Sequence, residues 1–291
     1  MPDMRFDGQV AIITGAGGGL GRSHALELAR GGAMVLVNDV SAAGQVVDEI
    51  TALGGQAAAN HDSVATASGG AAIVQAALDA FGRVDILVNN AGILRDKAFH
   101  KMDEAMIDSV IDVHLKGAFY VTQPAFSLMR EQGYGRIINT SSASGLFGNF
   151  GQANYGAAKA GLAGLTRVLA LEGAGHGIKA NAIAPIAATQ MTAGILGDLA
   201  DKVSPDYVSP LVAYLAHSEC SVNGNVYSVA GGRIARIFVA ETHGLVLREN
   251  TAESIAAQLS LIDAADFHGH HQPTSLDDET AIIAKALSKA S

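Results

Sequence analysis

The chain has 291 residues, with 19 Lys and Arg against 28 Asp and Glu, so its formal net charge is −9. Hydrophobic residues make up 49% and charged residues only 16%, which predicts a large buried core and excludes a largely disordered chain. An acidic chain without a run of Lys or Arg argues against a nucleic-acid partner. Its one cysteine excludes an intramolecular disulfide and a cysteine-based metal cluster.

Short runs rich in Val and Ile alternate with longer segments in which apolar residues recur every three or four positions. The runs are typical of strands buried on both faces, and the segments are typical of amphipathic helices. This alternation predicts an α/β fold, a Rossmann-like doubly wound parallel sheet with helices on both faces. The predicted strands cover residues 10–13, 34–37, 84–88, 136–139, 178–183 and 226–229, and the predicted helices cover residues 20–31, 43–53, 70–81, 103–129 and 155–172.

The rhythm changes after residue 232, where two further predicted helices, 251–262 and 277–289, flank a loop. We expect one domain over residues 1–232 and a C-terminal extension over 233–291 that packs on it. The loop holds His268, His270 and His271 beside Gly and Pro, which favours an exposed loop over a metal site. No stretch has the length and apolar density of a membrane span, and no secretory signal opens the sequence.

A glycine-rich turn follows the first predicted strand. Gly15, Gly19 and Gly21 are spaced T-G-x3-G-x-G, with Leu20 between the last two, and a helix follows at once. Backbone N–H groups at a helix N-terminus attract a pyrophosphate and need no side chain in its way. Taken alone, the motif also fits a flexible turn, since it departs from the G-x-G-x-x-G spacing.

Asp39 ends the second predicted strand, 18 residues after Gly21. A carboxylate at this place can accept hydrogen bonds from both hydroxyls of an adenosine ribose and would repel a 2′-phosphate. Neither Gly18 nor Val40 supplies a cation for such a phosphate. Arg22 is a competing signal, although its position also suits the pyrophosphate or the surface. The sequence therefore favours NAD over NADP.

Ser142, Tyr155 and Lys159 are the candidate catalytic residues. Tyr155 and Lys159 lie four positions apart, so on a helix they share a face. A fixed ammonium about 4 Å away would lower the phenol pKa by about 3 units, from about 10 towards neutrality. Ser142, presented from the end of a strand, would hold the reacting oxygen. Such a set transfers a proton at a carbinol while hydride moves to a cofactor.

These motifs together resemble the short-chain dehydrogenase/reductase family over about residues 8–232. The motifs are Thr14-Gly15-x3-Gly19-x-Gly21, Asn89-Asn90-Ala91-Gly92, Ser142, Tyr155-x3-Lys159, Asn181-x3-Pro185 and Val229-Ala-Gly-Gly232. The resemblance implies that Asp62 meets the adenine, that Asn90, Ala91 and Gly92 back the adenosine, that Lys159 holds the nicotinamide ribose, and that the loop with Pro185 and Thr189 meets the carboxamide. It also implies that Tyr155 is the catalytic acid/base.

The chain departs from the family pattern at two positions. His114 stands where the family usually has an Asn that helps to hold a water in a proton relay, and Ile186 stands where it usually has Gly. His114 is a candidate for relaying protons itself. The alternative is a hydrogen-bonded core histidine, so the resemblance leaves the proton path open.

Within the family, the segments 89–96, 112–117, 141–145 and 148–155 are similar to the (3R)-hydroxyacyl-CoA dehydrogenases of multifunctional β-oxidation enzymes. This resemblance implies NAD-dependent oxidation of an acyl-CoA thioester. Arg95 and Lys97 are candidates for the CoA phosphates, with a solvated loop as the alternative. A hydroxysteroid or steroid-side-chain-CoA dehydrogenase is the second hypothesis, and a non-catalytic NAD-binding regulator is the third.

The family resemblance also implies self-association. The predicted helices 103–129 and 155–172 would pair across subunits, giving a homodimer or homotetramer. The chain does not end in Ser-Lys-Leu, the peroxisomal signal, so we expect a free-standing cytoplasmic enzyme.

Overall fold

The computed structural model describes residues 4–192, 194, 197–264, 271–275, 277, 278, 280–283 and 285. The chain forms two compact units, Met1–Arg236 and Ile237–Ser291. In the described part of the chain, no helix is long and apolar enough to cross a membrane.

The first unit is built on an eight-stranded sheet with the order β3-β2-β1-β4-β5-β6-β7-β8. The first seven strands pair in parallel, which confirms the predicted doubly wound fold. The last two strands are joined by only Gly231 and Gly232, both at positive φ, and a two-residue turn joins antiparallel strands. The strands are β1 Val10–Thr14, β2 Met34–Asn38, β3 Gln56–Asn60, β4 Ile86–Asn89, β5 Gly135–Thr140, β6 Ile178–Pro185, β7 Val226–Ala230 and β8 Arg233–Ile237.

Helices connect the parallel strands on both faces of this sheet. The predicted helix 103–129 is in fact two α-helices separated by a π-helical segment, Asp112–Lys116. The helices are α1 Gly19–Arg30, α2 Ala43–Ala52, α3 Ala67–Phe81, α4 Glu104–Ile111, α5 Gly117–Gln132, α6 Ala143–Phe147, α7 Ala153–Gly173 and α8 Ser209–Ala216.

The sheet is buried because its central strands are apolar on both faces. In β1, every residue is buried, and alternate side chains enter different clusters. Ala11 and Ile13 pack in one cluster with α1 and α8, while Val10 and Ile12 pack in the other with α3 and α5. This arrangement explains why the strand is a continuous apolar run in the sequence.

The second unit contains the predicted helix 251–262, observed as α9 Ala252–Ile262. Thr251 caps it by accepting a hydrogen bond from the backbone N–H of Ser254 at 3.1 Å. Glu241 and His271 form an isolated antiparallel bridge. His268, His270 and several residues of the predicted final helix lie outside the described residues, whereas residues 277, 278 and 280–283 are helical.

Arg136 fastens the edge of the sheet at which the strands begin. Its side chain lies in β5 and is only 4% exposed. The guanidinium donates hydrogen bonds to the carbonyl oxygens of Gly177, His217 and Ser218 at 2.9–3.1 Å. One buried cation thus bonds to three carbonyl groups of three different residues, of which that of His217 also accepts from the backbone N–H of Cys220.

Replacing Arg136 with Met should lower the free energy of unfolding by about 3 kcal/mol, because the buried guanidinium and its hydrogen bonds to the three carbonyl groups are lost. Urea unfolding followed by circular dichroism measures the change. Arg130, exposed on α5, gives a matched control, and Arg130→Met should change the free energy by less than about 0.5 kcal/mol. Equal unfolding midpoints for the two variants would contradict the role given to Arg136.

Candidate active site

A cleft of about 730 Å³ lies at the carboxyl ends of the parallel strands. Ligands of open α/β sheets bind at this edge, where the strand order reverses between β1 and β4. Most of the residues predicted from the sequence line it, namely Gly15, Gly19, Leu20, Asp39, Asn90, Gly92, His114, Tyr155, Lys159, Pro185 and Thr189.

The glycine turn places the N-terminus of α1 at one end of the cleft. Gly18 is the N-cap of this helix and supplies no side-chain cap, so the first N–H groups have no side-chain acceptor within the turn. A Cβ on Gly15 would lie 2.7 Å from the Cα of Ala91, and Gly15 has a positive φ of 62°. The turn therefore requires glycine here, and it presents backbone donors rather than side chains.

Asn90 holds this turn in place. Its side-chain amide donates to the carbonyl oxygens of Thr14 and Gly15 at 3.0 and 3.1 Å. The Thr14 hydroxyl in turn accepts hydrogen bonds from the backbone N–H groups of Asn90 and Ala91. At the ends of β1 and β4, each strand thus contributes a side chain that bonds to the backbone of the other.

The Asp39 carboxylate sits beside the turn. It accepts hydrogen bonds from the backbone N–H groups of Gly17, Ser41 and Ala42 at 2.9–3.1 Å. Burial acts to raise the pKa of Asp39, but these hydrogen bonds outweigh it and hold the pKa below its usual value. The side chain is therefore a fixed anion at neutral pH.

Ser142, Tyr155 and Lys159 come together at the other end of the cleft. Ser142 is the N-cap of α6, and its hydroxyl lies beside the Tyr155 phenol, where it acts to lower the Tyr155 pKa. Lys159 is 3% exposed on α7, and its Nζ donates to the carbonyl oxygen of Thr140 at 2.5 Å. This arrangement can hold an alcohol oxygen, exchange a proton with it and keep a cation nearby.

The expectation that Lys159 draws the pKa of Tyr155 towards neutrality is wrong for this state of the protein. Burial raises the pKa of Tyr155 above its usual value, and it lowers that of Lys159 to about 7. The ammonium is bonded to Thr140 and lies 5.6 Å from the centre of the phenol ring. Sharing a helix face brought the two side chains near each other without bonding them.

His114 lies in the π-helical segment and packs against the Tyr155 ring, edge to face, with ring centres 5.1 Å apart. Its Nε2 atom lies within hydrogen-bond distance of two backbone atoms of Ile93. The distance is 2.9 Å to the backbone nitrogen and 2.8 Å to the carbonyl oxygen. Its Nδ1 is buried and has no partner among the described residues. Burial, helped by the Lys159 charge, lowers the pKa of His114 to about 3, so the ring is neutral.

Four predicted residues do not line the cleft. Gly21 and Ala91 pack behind the turn, and Ser142 lies beside Tyr155, which does line the cleft. Asp62 is exposed, and its carboxylate accepts a hydrogen bond from Asn60 at 2.7 Å. Among the described residues, no three His, Cys, Asp or Glu side chains form a possible metal site.

The sequence analysis missed Thr140, Ser141 and Thr192, which also line the cleft. The Ser141 hydroxyl donates to the carbonyl oxygen of Lys159 at 2.7 Å, and the Thr140 hydroxyl is buried without a partner in the described part of the chain. Thr140 ends β5, so the rule that ligands bind at strand carboxyl ends could have found it.

The family follows from a comparison with known proteins. The model for "short chain dehydrogenase" matches residues 9–199, and the chain therefore belongs to the short-chain dehydrogenase family of oxidoreductases. Among its relatives is the peroxisomal multifunctional enzyme type 2 of Mus musculus, which is 44% identical over 98% of this chain. This chain spans 40% of the length of that enzyme.

Other relatives are closer to this chain in length. The hydroxyacyl-CoA dehydrogenase ChsB1 of Mycobacterium tuberculosis is 42% identical and covers 80% of this chain, which in turn covers 80% of it. A short chain dehydrogenase from Mycobacterium avium has a solved structure with a TM-score of 0.80 and 42% identity, covering 92% of this chain and 97% of its own.

The full-length peroxisomal multifunctional enzyme type 2 of Drosophila melanogaster matches with a TM-score of 0.86 and 40% identity, over 98% of this chain and 50% of its own.

The buried neutral His114 should make stability depend on pH. Its folded pKa of about 3 lies below the unfolded value, so below about pH 6.5 the unfolded chain binds the extra proton. Stability is therefore full above that pH and falls by about 1.4 kcal/mol per pH unit as the pH drops towards 3. The His114→Asn variant should lose this contribution to the slope, as measured by urea unfolding between about pH 4 and about pH 6.

His24 provides the matched control, since burial also lowers its pKa to about 3. His24→Asn should reduce the slope by the same amount, and the double variant by twice as much. Parallel stability profiles for the wild type and His114→Asn would contradict a neutral, buried His114.

Proposed function

We propose that this dehydrogenase oxidises (3R)-hydroxyacyl-CoA to 3-ketoacyl-CoA with NAD. The observation that carries the proposal is Tyr155 and buried Lys159, with Ser142 beside the Tyr155 phenol, in the same cleft as the glycine turn and Asp39. The relative named hydroxyacyl-CoA dehydrogenase supports the substrate class.

The residues around the turn fit a nicotinamide adenine dinucleotide. The uncapped N-terminus of α1 offers backbone donors for the pyrophosphate, and the fixed Asp39 carboxylate offers acceptors for the ribose hydroxyls. That anion would also repel a 2′-phosphate. Arg22, the competing cation, makes a salt bridge with Glu49 on α2, which supports NAD over NADP.

The bound cofactor would supply the hydride acceptor, and the positive charge of its nicotinamide would favour the tyrosinate. Ser142 would hold the substrate oxygen, and Tyr155 would take the proton of the 3-hydroxyl group while the C3 hydrogen leaves as hydride. Lys159 would hold the nicotinamide ribose and return the proton towards solvent. His114, with a free Nδ1 beside the Tyr155 ring, is our candidate for that proton path.

Self-association stays a prediction. Helices α5 and α7 carry exposed apolar side chains, namely Phe119, Val168 and Leu171, each at least half exposed. Such side chains are consistent with the proposed pairing of these helices in a homodimer or homotetramer.

Replacing Tyr155 with Phe should reduce turnover by at least about 1000-fold, since the reaction then lacks its acid/base. NAD affinity should change little, because the ring remains and only the hydroxyl is lost. Initial rates of NADH formation and calorimetric titration with NAD give the two values. Turnover close to that of the wild type would refute the assignment of Tyr155.

The substrate is tested by initial rates with (3R)- and (3S)-hydroxybutyryl-CoA, a longer (3R)-hydroxyacyl-CoA and a 17β-hydroxysteroid, each with NAD and with NADP. We expect turnover with the (3R) thioesters and NAD only. A preference for NADP would contradict the role of Asp39. Activity with the steroid alone would leave the catalytic residues in place but overturn the acyl-CoA assignment.

A further inference from the structure

A short basic segment, residues 95–101, leads away from the cleft. It holds Arg95, Lys97 and Lys101, three cations in seven positions of a chain whose net charge is −9. All three side chains are exposed, and none makes an ion pair with a described residue. We call this segment the basic strip.

The strip starts at the active site. Arg95 lines the cleft, and its carbonyl oxygen accepts a hydrogen bond from the side-chain amide of Asn154 at 3.1 Å. Asn154 is only 4% exposed, and its amide also donates to the carbonyl oxygen of Met106 at 2.8 Å. Because Asn154 directly precedes Tyr155, the backbone of Arg95 is fixed relative to the catalytic tyrosine.

The backbone of the strip is held along its length. The N–H of Lys97 donates to the carbonyl oxygen of Gly151 at 2.8 Å, and the N–H of Lys101 donates to that of Ala98 at 2.8 Å. Asp96, the acidic residue within the strip, accepts a hydrogen bond from the Gln152 amide at 2.7 Å. The three cations thus project from a fixed backbone, and a neutral amide rather than a cation binds the neighbouring carboxylate.

An aromatic ring stands among these cations. Phe99 is 76% exposed. A flat exposed ring beside unpaired cations suits a purine base joined to phosphates, because the ring stacks on the base while Lys and Arg bind the phosphates.

We propose that the basic strip binds the phosphorylated adenosine end of the CoA thioester. The phosphates lie against Arg95, Lys97 and Lys101, the adenine stacks on Phe99, and the pantetheine arm leads back to Tyr155. This inference rests on the proposed function, since it assigns a recognition surface to the same substrate.

The test compares two thioesters of the same acyl group, (3R)-hydroxybutyryl-CoA and (3R)-hydroxybutyryl-pantetheine, which lacks the nucleotide. In the double variant Lys97→Gln/Lys101→Gln, we expect the KM for the CoA thioester to rise about tenfold with little change in kcat, because charge-assisted contacts to phosphate are lost. The KM for the pantetheine thioester should stay the same. Added salt should raise the wild-type KM for the CoA thioester alone.

Arg130→Gln is the matched control, since it removes one exposed cation near the far end of α5, about 20 Å along the helix from Gly117. This variant should leave both KM values unchanged. A parallel change of both KM values in the double variant, or no change in either, would overturn the proposed strip.

A binding measurement separates the two proposals. Free CoA is titrated calorimetrically into the NADH-saturated wild type and double variant, with no turnover required. If neither thioester is oxidised but the wild type binds CoA about tenfold more tightly than the variant, the proposed reaction fails and the strip stands. Equal CoA affinities, or no binding to the wild type, overturn the strip even where the oxidation is observed.

Discussion

The junction between β1 and β4 is the constraint on which the cleft depends. The strand order reverses there, and the two strand ends are held together by Thr14 and Asn90 through reciprocal side-chain to backbone hydrogen bonds. The Thr14 hydroxyl also lies 3.4 Å from the carbonyl oxygen of Val88, to which it donates. Because the Gly15 carbonyl oxygen is bonded to the Asn90 amide, the turn is held with the N-terminus of α1 at the cleft. The same hydrogen bonds therefore hold the two central strands together and position the nucleotide end of the cleft.

The catalytic end depends on a second attachment, between the end of β5 and helix α7. Lys159 donates to the carbonyl oxygen of Thr140, and its own carbonyl oxygen accepts from Ser141. A buried ammonium is costly, which appears here as a pKa lowered to about 7. The fold holds the group at this cost, and it places a lysine that is partly protonated at pH 7 beside a protonated tyrosine and a neutral histidine.

Much of this architecture could be predicted from the sequence because buried parallel strands are continuous apolar runs. Strand β3 escaped prediction since its Gln-Ala-Ala-Ala-Asn sequence lacks β-branched residues and lies at the edge of the sheet. Helix α8 was also not predicted, because it has only eight residues. The π-helical segment around His114 was predicted as part of one long helix, because it has the same apolar spacing as its flanking helices. Sequence spacing gives the face on which a side chain lies, but not the bond that it makes. Lys159 lies on the same helix face as Tyr155, but its Nζ donates to the carbonyl oxygen of Thr140. Thr140 belongs to β5, 19 positions earlier in the sequence, and the helix spacing gives no information about this bond.

The contact between Gly92 and His114 links two positions that are 22 residues apart. A Cβ built on Gly92 would lie 2.3 Å from the Cε1 atom of His114, which is closer than two such atoms can approach. The imidazole thus occupies the volume that a side chain at residue 92 would need. Substitutions at the two positions have a required order, because a larger residue at 92 fits only after residue 114 has become smaller. In a related chain with the same fold, the size of the residue at one of these positions therefore limits which residues fit at the other.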